Sequence, residues 1–101
     1  MINATIYKRD GYIYRFKVIN HGDPIVCAGV SALVISSVNF IKSQLKVKSH
    51  LKYEYEGGMI EFAVVDSRHE ATALILNHMV FGLEQINENY PRQIRIKILS
   101  E

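Results

Sequence analysis

The chain has one cysteine, two prolines, no tryptophan and almost no excess of charge of either sign, and each scarcity narrows what it can be. A single cysteine excludes an internal disulfide and a cysteine-built zinc site. The start, Met1-Ile2-Asn3-Ala4-Thr5, carries no signal-like pattern and runs straight into a strand pattern, so a reducing cytoplasm is the expected compartment. A formal net charge of +2 is too small to argue for nucleic acid, and no nucleic-acid partner is expected. The longest apolar run, Ile25 to Ile35, contains Cys27, Gly29 and Ser31. It reads as too short and too mixed to span a bilayer, so no membrane partner is expected. His50, His69 and His78 have no metal-ligand spacing, and no Gly-rich phosphate loop is present; neither metal nor other cofactor is expected.

With 101 residues and 49% hydrophobic composition, the sequence suits one domain, residues 1–101, with a packed core. Ile2 to Lys8 alternates as a strand, with Ile2, Ala4, Ile6 and Lys8 on one face. Asp10-Gly11 is a hairpin turn signal. Tyr12 to about Ile19 follows as a second strand, with Tyr12, Tyr14, Phe16 and Val18 set against Ile13, Arg15 and Lys17. A first helix is predicted from Pro24 to about Lys46, apolar nearly all round in its first half. Leu51 to Tyr55 and Met59 to Val65 form a second hairpin around Glu56-Gly57-Gly58. Ser67 and Glu70 then have capping-box spacing for a second helix running to about Asn87, with His78 on its inner face. Ile94, Ile96 and Ile98 give a last strand. The order ββαββαβ implies an α+β fold, two long helices packed on one mostly antiparallel sheet.

The chemistry concentrates in Asn20-His21-Gly22-Asp23-Pro24-Ile25-Val26-Cys27. Asp23 suits an N-cap and Pro24 the first helical position, which puts Cys27 near the positive end of the helix dipole. That location favours a thiolate nucleophile. His21, at the end of the second strand, is the nearest base and acid. Amides around Val26 to Ala28 are candidates for the oxyanion hole. Against this stands the common alternative that a free cysteine is a small buried hydrophobe and a loop histidine only a polar loop residue. Lys42, Lys46, Lys48 and Lys52 read as a solvated end complementing the helix C-terminus rather than as a binding patch.

Gly22 and the block Ile25-Val26-Cys27-Ala28-Gly29-Val30-Ser31-Ala32 resemble the Gly-x-Asp-(Ile/Leu)-Val-Cys-Ala-(Ala/Gly)-Val-Ser-Ala block of the bacterial ribosomal-processing cysteine protease (Prp) family. The hairpin before the block, the Gly-Gly hairpin after it and the second helix fit as well. The resemblance implies a homodimeric α+β cysteine endopeptidase that removes the N-terminal extension of a large-subunit ribosomal protein, cutting after a hydrophobic, aromatic-rich site. It implies Cys27 as nucleophile and matches Ser31 to the family serine. Two departures stand out. The family histidine, in a Gly-His-Ala motif, lies about a dozen residues before the cysteine, whereas His21 precedes Cys27 by six. Either the intervening loop is shorter and His21 is the catalytic histidine, or His21 matches a variable histidine and the catalytic position is absent. Pro24 also stands where the family has aspartate, with Asp23 one place earlier as the cap. A loop-shortened relative that binds without cleaving, or assists ribosome assembly, is the alternative function.

Overall fold

The structure, a computed structural model, describes residues 1–19, 21–54, 56 and 58–101. Asn20, the expected strand end Tyr55 and the turn residue Gly57 lie outside the described residues.

Strands β1 (Ile2–Arg9) and β2 (Tyr12–Ile19) are joined by Asp10-Gly11, both at positive φ (54° and 82°), the two-residue turn that this dipeptide favours. Helix α1 (Pro24–Phe40) follows, then β3 (Ser49–Glu54), β4 (Met59–Val64), α2 (Glu70–Asn89) and β5 (Ile94–Ser100). The sheet order is β3-β4-β2-β1-β5. Every pairing is antiparallel except β1 with β5, reached by the crossover through α2. The expected ββαββαβ order and mostly antiparallel sheet are therefore present.

Both helices pack on the sheet face that carries Ile2, Ala4, Ile6, Phe16, Val18, Phe62 and Ile94, all buried. From α1 come Val26, Val30, Val34 and Val38, one per turn; from α2 come Leu76, Met79, Val80 and Leu83. The helices approach closely at two glycines. A Cβ at Gly82 would lie 2.6 Å from Leu33 Cδ2, and one at Gly29 3.6 Å from Ile86 Cδ1. Helix α1 with its extension, Pro24–Leu45, is 22 residues long and holds an 18-residue window of mean hydropathy 2.0, so it is long and apolar enough to cross a membrane where the run Ile25 to Ile35 alone reads as too short. Its valine stripe lies in the core, and a core helix meets the same length and hydropathy test.

The structure departs from the sequence pattern in four places. In β2, Tyr7 pairs with Arg15 and Lys8 with Ile13, so Tyr14 is the extra residue of a bulge. The bulge switches faces: Ile13 joins Phe16 and Val18 in the core, and Tyr12 and Tyr14 do not. Helix α1 ends at Phe40 and continues as one π-helical turn, Ile41–Leu45, closed by Lys46 in the left-handed region at φ 55°. Helix α2 is not capped by Ser67. His69 is the N-cap, its Nδ1 lying 2.9 Å from Thr72 Oγ1 and accepting from the Thr72 N–H at 3.4 Å. His78 is exposed, not on the inner face.

On the opposite sheet face Arg15 of β2 reaches Glu61 of β4 in an ion pair. The Arg15 hydrogen bond, more than the neighbouring Lys17 and Lys52 charges, holds the Glu61 carboxyl below the usual carboxylate range. A folded-state value depressed in this way contributes stability that is present above the unfolded value of about 4.3 and is lost as pH falls through the folded value. Glu61→Gln is expected to cost about 0.5–1 kcal/mol near neutral pH, because Arg15 is part-exposed. It is also expected to flatten the acid limb of stability. Urea unfolding of both proteins from neutral pH down to acid checks this, and equal acid limbs would remove the pair from the stability account.

Candidate active site

Asp23 starts α1. Its Oδ1 accepts from the N–H groups of Ile25 (2.9 Å) and Val26 (3.5 Å), and its carbonyl accepts from the Cys27 N–H at 2.8 Å. Pro24, which has no N–H, fills the first helical position at no cost. The cap therefore uses the amides of Ile25, Val26 and Cys27, and so takes up Val26 and Cys27 of the Val26 to Ala28 stretch expected to serve as an oxyanion hole. The donor aimed at the sulfur comes from the loop before the helix: the Gly22 N–H points at Cys27 Sγ from 3.1 Å. The thiol has the Gly22 carbonyl at 3.8 Å as a weak acceptor.

The loop that carries Gly22 is itself held. A Cβ at Gly22 would stand 3.4 Å from Gln93 Oε1 and 3.5 Å from Ile2 Cγ1. Gln93 Oε1 accepts from the Asp23 N–H at 3.4 Å, the Ile2 N–H donates to the Gln93 carbonyl at 3.0 Å, and the terminal ammonium of Met1 donates to the His21 carbonyl at 3.4 Å. The end of β2, the start of β1 and the start of β5 thus converge on three loop residues. Gln93 carries no sequence signal for this role.

Cys27 is half-buried and His21 exposed, and both line one cavity of about 430 Å³. Ser31, one helical turn after Cys27, lines it too, together with Ile2, Val18, Val30, Val34, Met59 and Ile60. Of the residues singled out in the sequence, Cys27, His21 and Ser31 meet at the cavity. Gly22 bonds the sulfur, and Asp23 serves the helix rather than the imidazole. Among the described residues no carboxylate is hydrogen-bonded to His21; Glu54 and Glu56 are the acidic groups in the cavity lining. No group of three or more His, Cys, Asp or Glu side chains suited to a metal occurs among the described residues. The chemistry available is a thiol, an imidazole and a backbone donor beside an apolar cavity: the parts of acyl transfer.

Gly58, in the β3–β4 hairpin, is a site residue that the sequence offers only as a turn. It sits at φ 61°, and the His21 imidazole lies against its Cα: a Cβ there would lie 2.7 Å from His21 Cε1 and closer still to Nε2. The hairpin is the wall that sets where the imidazole stands.

The family model for cysteine protease Prp matches residues 1–95. The ribosomal processing cysteine protease Prp of Staphylococcus aureus is 36% identical over 76 residues, covering 75% of this chain and 72% of that one. Its Bacillus subtilis counterpart is 29% identical, covering 95% and 96%. The crystal structure of S. aureus Prp with a covalently linked product peptide superposes with a TM-score of 0.91 at 32% identity, covering 97% of this chain and 99% of that one.

Gly58→Ala tests the wall. Gly11, at φ 82° with nothing near its missing Cβ, is the control, because Gly11→Ala carries only the backbone strain of a positive φ, about 1 kcal/mol. Gly58→Ala is expected to cost more and to move the His21 ring proton resonances, with Gly11→Ala leaving them in place. Unmoved His21 resonances in Gly58→Ala would show that the ring does not rest on the hairpin.

Proposed function

The chain belongs to the cysteine protease Prp family, and from that premise we propose that it is a cysteine endopeptidase that removes the N-terminal extension of a large-subunit ribosomal protein, with Cys27 as nucleophile and His21 as its acid and base. The observation that carries the assignment is the joint position of Cys27 and His21 on one apolar cavity, with the Gly22 N–H aimed at the sulfur. The relatives from S. aureus and B. subtilis are named ribosomal processing proteases, and S. aureus Prp has also been crystallised with a substrate peptide.

The reaction starts with His21 taking the thiol proton. Cys27 Sγ then attacks the scissile carbonyl carbon, a C–S bond forms, and the carbonyl π pair moves onto oxygen. The Gly22 N–H, which points at the sulfur and is not used by the helix cap, is suited to pass to that oxyanion as the C–S bond forms, whereas the Ile25 and Val26 amides are taken by Asp23. Collapse breaks the C–N bond, and the imidazolium gives its proton to the leaving amine. Water, deprotonated by His21, hydrolyses the thioester and returns the thiolate. The apolar lining suits a bulky hydrophobic or aromatic substrate side chain beside the scissile bond.

Of the two histidine alignments, we take the one in which the loop between His21 and Cys27 is short and His21 is the catalytic histidine. The stretch leaves His21 at the mouth of the cavity, braced by Gly58, which supports it as the catalytic histidine. A homodimer in the cytoplasm completes the reading. The homodimer is supported by apolar side chains exposed on the helices, Ile25 of α1 at 67% and Leu74 and Phe81 of α2 at 69% and 58%.

The test is cleavage of the extended ribosomal protein precursor, read by intact mass. Wild type is expected to remove the extension and Cys27→Ala to leave it intact while folding normally. His21→Ala is expected to lose about a thousandfold or more in kcat/KM. Cleavage by Cys27→Ala would overturn the assignment, a mild His21→Ala effect would move the base elsewhere, and precursor binding without turnover by wild type would favour the loop-shortened binding relative.

A further inference from the structure

The chain-wide charge of +2 conceals an uneven distribution. The sheet face opposite the helices, which no element covers among the described residues, carries Arg9, Arg15, Lys17, Lys52, Arg95 and Lys97 against only Glu61, Glu101 and, at the end of β3 where it also reaches the cavity, Glu54. In the rest of the chain the remaining six cations are outnumbered by seven carboxylates. Two of the three carboxylates on the open face are already engaged: Glu61 by Arg15, and Glu101 by Arg9 and Tyr14. Lys17, Lys52, Arg95 and Lys97 have no ion pair among the described residues.

The register sets these cations in order. Lys52, Glu61, Lys17, Thr5 and Lys97 are successive partners in one row across all five strands. The three lysines therefore stand two strands apart, about 10 Å. Arg95, paired with Asn3, flanks the row on one side. On the other side two tyrosine rings lie with centroids 6.3 Å apart, Arg15 stacked 4.6 Å over Tyr7 and Arg9 4.3 Å over Tyr14. The guanidinium planes so presented are surfaces on which a base can stack, and the lysine row is a track for a phosphate backbone.

We propose that this open sheet face binds single-stranded RNA, through backbone phosphates on Lys17, Lys52, Lys97 and Arg95 and base stacking at the Arg–Tyr pairs. The proposal does not rest on the peptidase reading, since none of these residues lines the cavity at Cys27. A second copy of the chain is the poorer occupant, because face-to-face packing would set two unbalanced positive surfaces together.

Four phosphate contacts give a slope of about −3 in log affinity against log salt, so binding weakens about fiftyfold between 50 mM and 200 mM. Fluorescence anisotropy with a short labelled oligouridylate reads this directly. The triple variant K17Q/K52Q/K97Q is expected to lose at least tenfold in affinity and most of the salt slope, while cleaving a short precursor peptide as wild type does. K42Q/K46Q/K48Q, which removes the same charge from the far end of α1 and the loop after it, is expected to bind as wild type does. No binding by wild type at low salt, or equal losses in the two triple variants, overturns the proposal. A change in sedimenting mass confined to K17Q/K52Q/K97Q would also overturn it, by showing the face to be a contact between copies.

Discussion

The N-cap of α1 is the interaction on which the site depends. One carboxylate, Asp23, takes up the Ile25 and Val26 amides, and the Asp23 carbonyl takes up that of Cys27. Helix initiation at this residue fixes which side chain faces the cavity one turn later. The same cap releases Gly22 from helical bonding, and its N–H is then free to turn to the sulfur. A helix that began one residue earlier or later would rotate Cys27 by about 100° around the axis, off the cavity. The cap thus sets the position of Cys27 and, by using the helix-start donors, leaves the loop to supply the one at the sulfur.

His21 is exposed on the short stretch before α1, with no carboxylate hydrogen-bonded to it among the described residues. The fold compensates from a distance. Gly58 approaches from the β3–β4 hairpin and Gln93 from the start of β5, so the His21–Asp23 stretch is braced on both sides by elements remote in sequence. The support is steric at Gly58, where the missing Cβ makes room for the ring, and hydrogen-bonded at Gln93. Neither element contributes a reactive group, yet the geometry of the reactive ones follows from them.

Local rules were enough for what is local. Asp10-Gly11 forms the turn it announces, Asp23-Pro24 starts the helix, and β5 alternates as its isoleucines suggest. Where several patterns fit the same residues, packing chose. Tyr12, Tyr14, Phe16 and Val18 alternate without fault in sequence, but a bulge at Tyr14 puts Ile13 in the core and frees Tyr14 to meet Arg9 and Tyr12 to meet Arg68. Ser67 and Glu70 have the spacing of a capping box. The imidazole of His69 nevertheless caps the helix, because it also satisfies the wholly buried hydroxyl of Thr72. Around the site, Cys27, His21 and Gly22 were legible from a short motif. Gly58 and Gln93 were not, since their roles exist only once the hairpin and β5 are in place.

The bulge has a further consequence that ties the two faces of the sheet together. By rotating one end of β2 it keeps an unbroken apolar face toward the helices and turns two tyrosines out toward cations. The cavity at Cys27 draws on the helix-side face and the end of the sheet, whereas the lysine row draws on the reverse side of the same strands: Val18 lines the cavity and Lys17, its neighbour in sequence, stands on the row. Period-two alternation therefore separates two chemistries by the thickness of a sheet. A substitution that keeps the pleat alters one without moving the other. A register slip would exchange them, setting charge against the helices and apolar side chains in water. The Arg15–Glu61 pair, a diagonal contact between β2 and β4, opposes a one-residue slip, because such a slip would put its two side chains on opposite faces of the sheet.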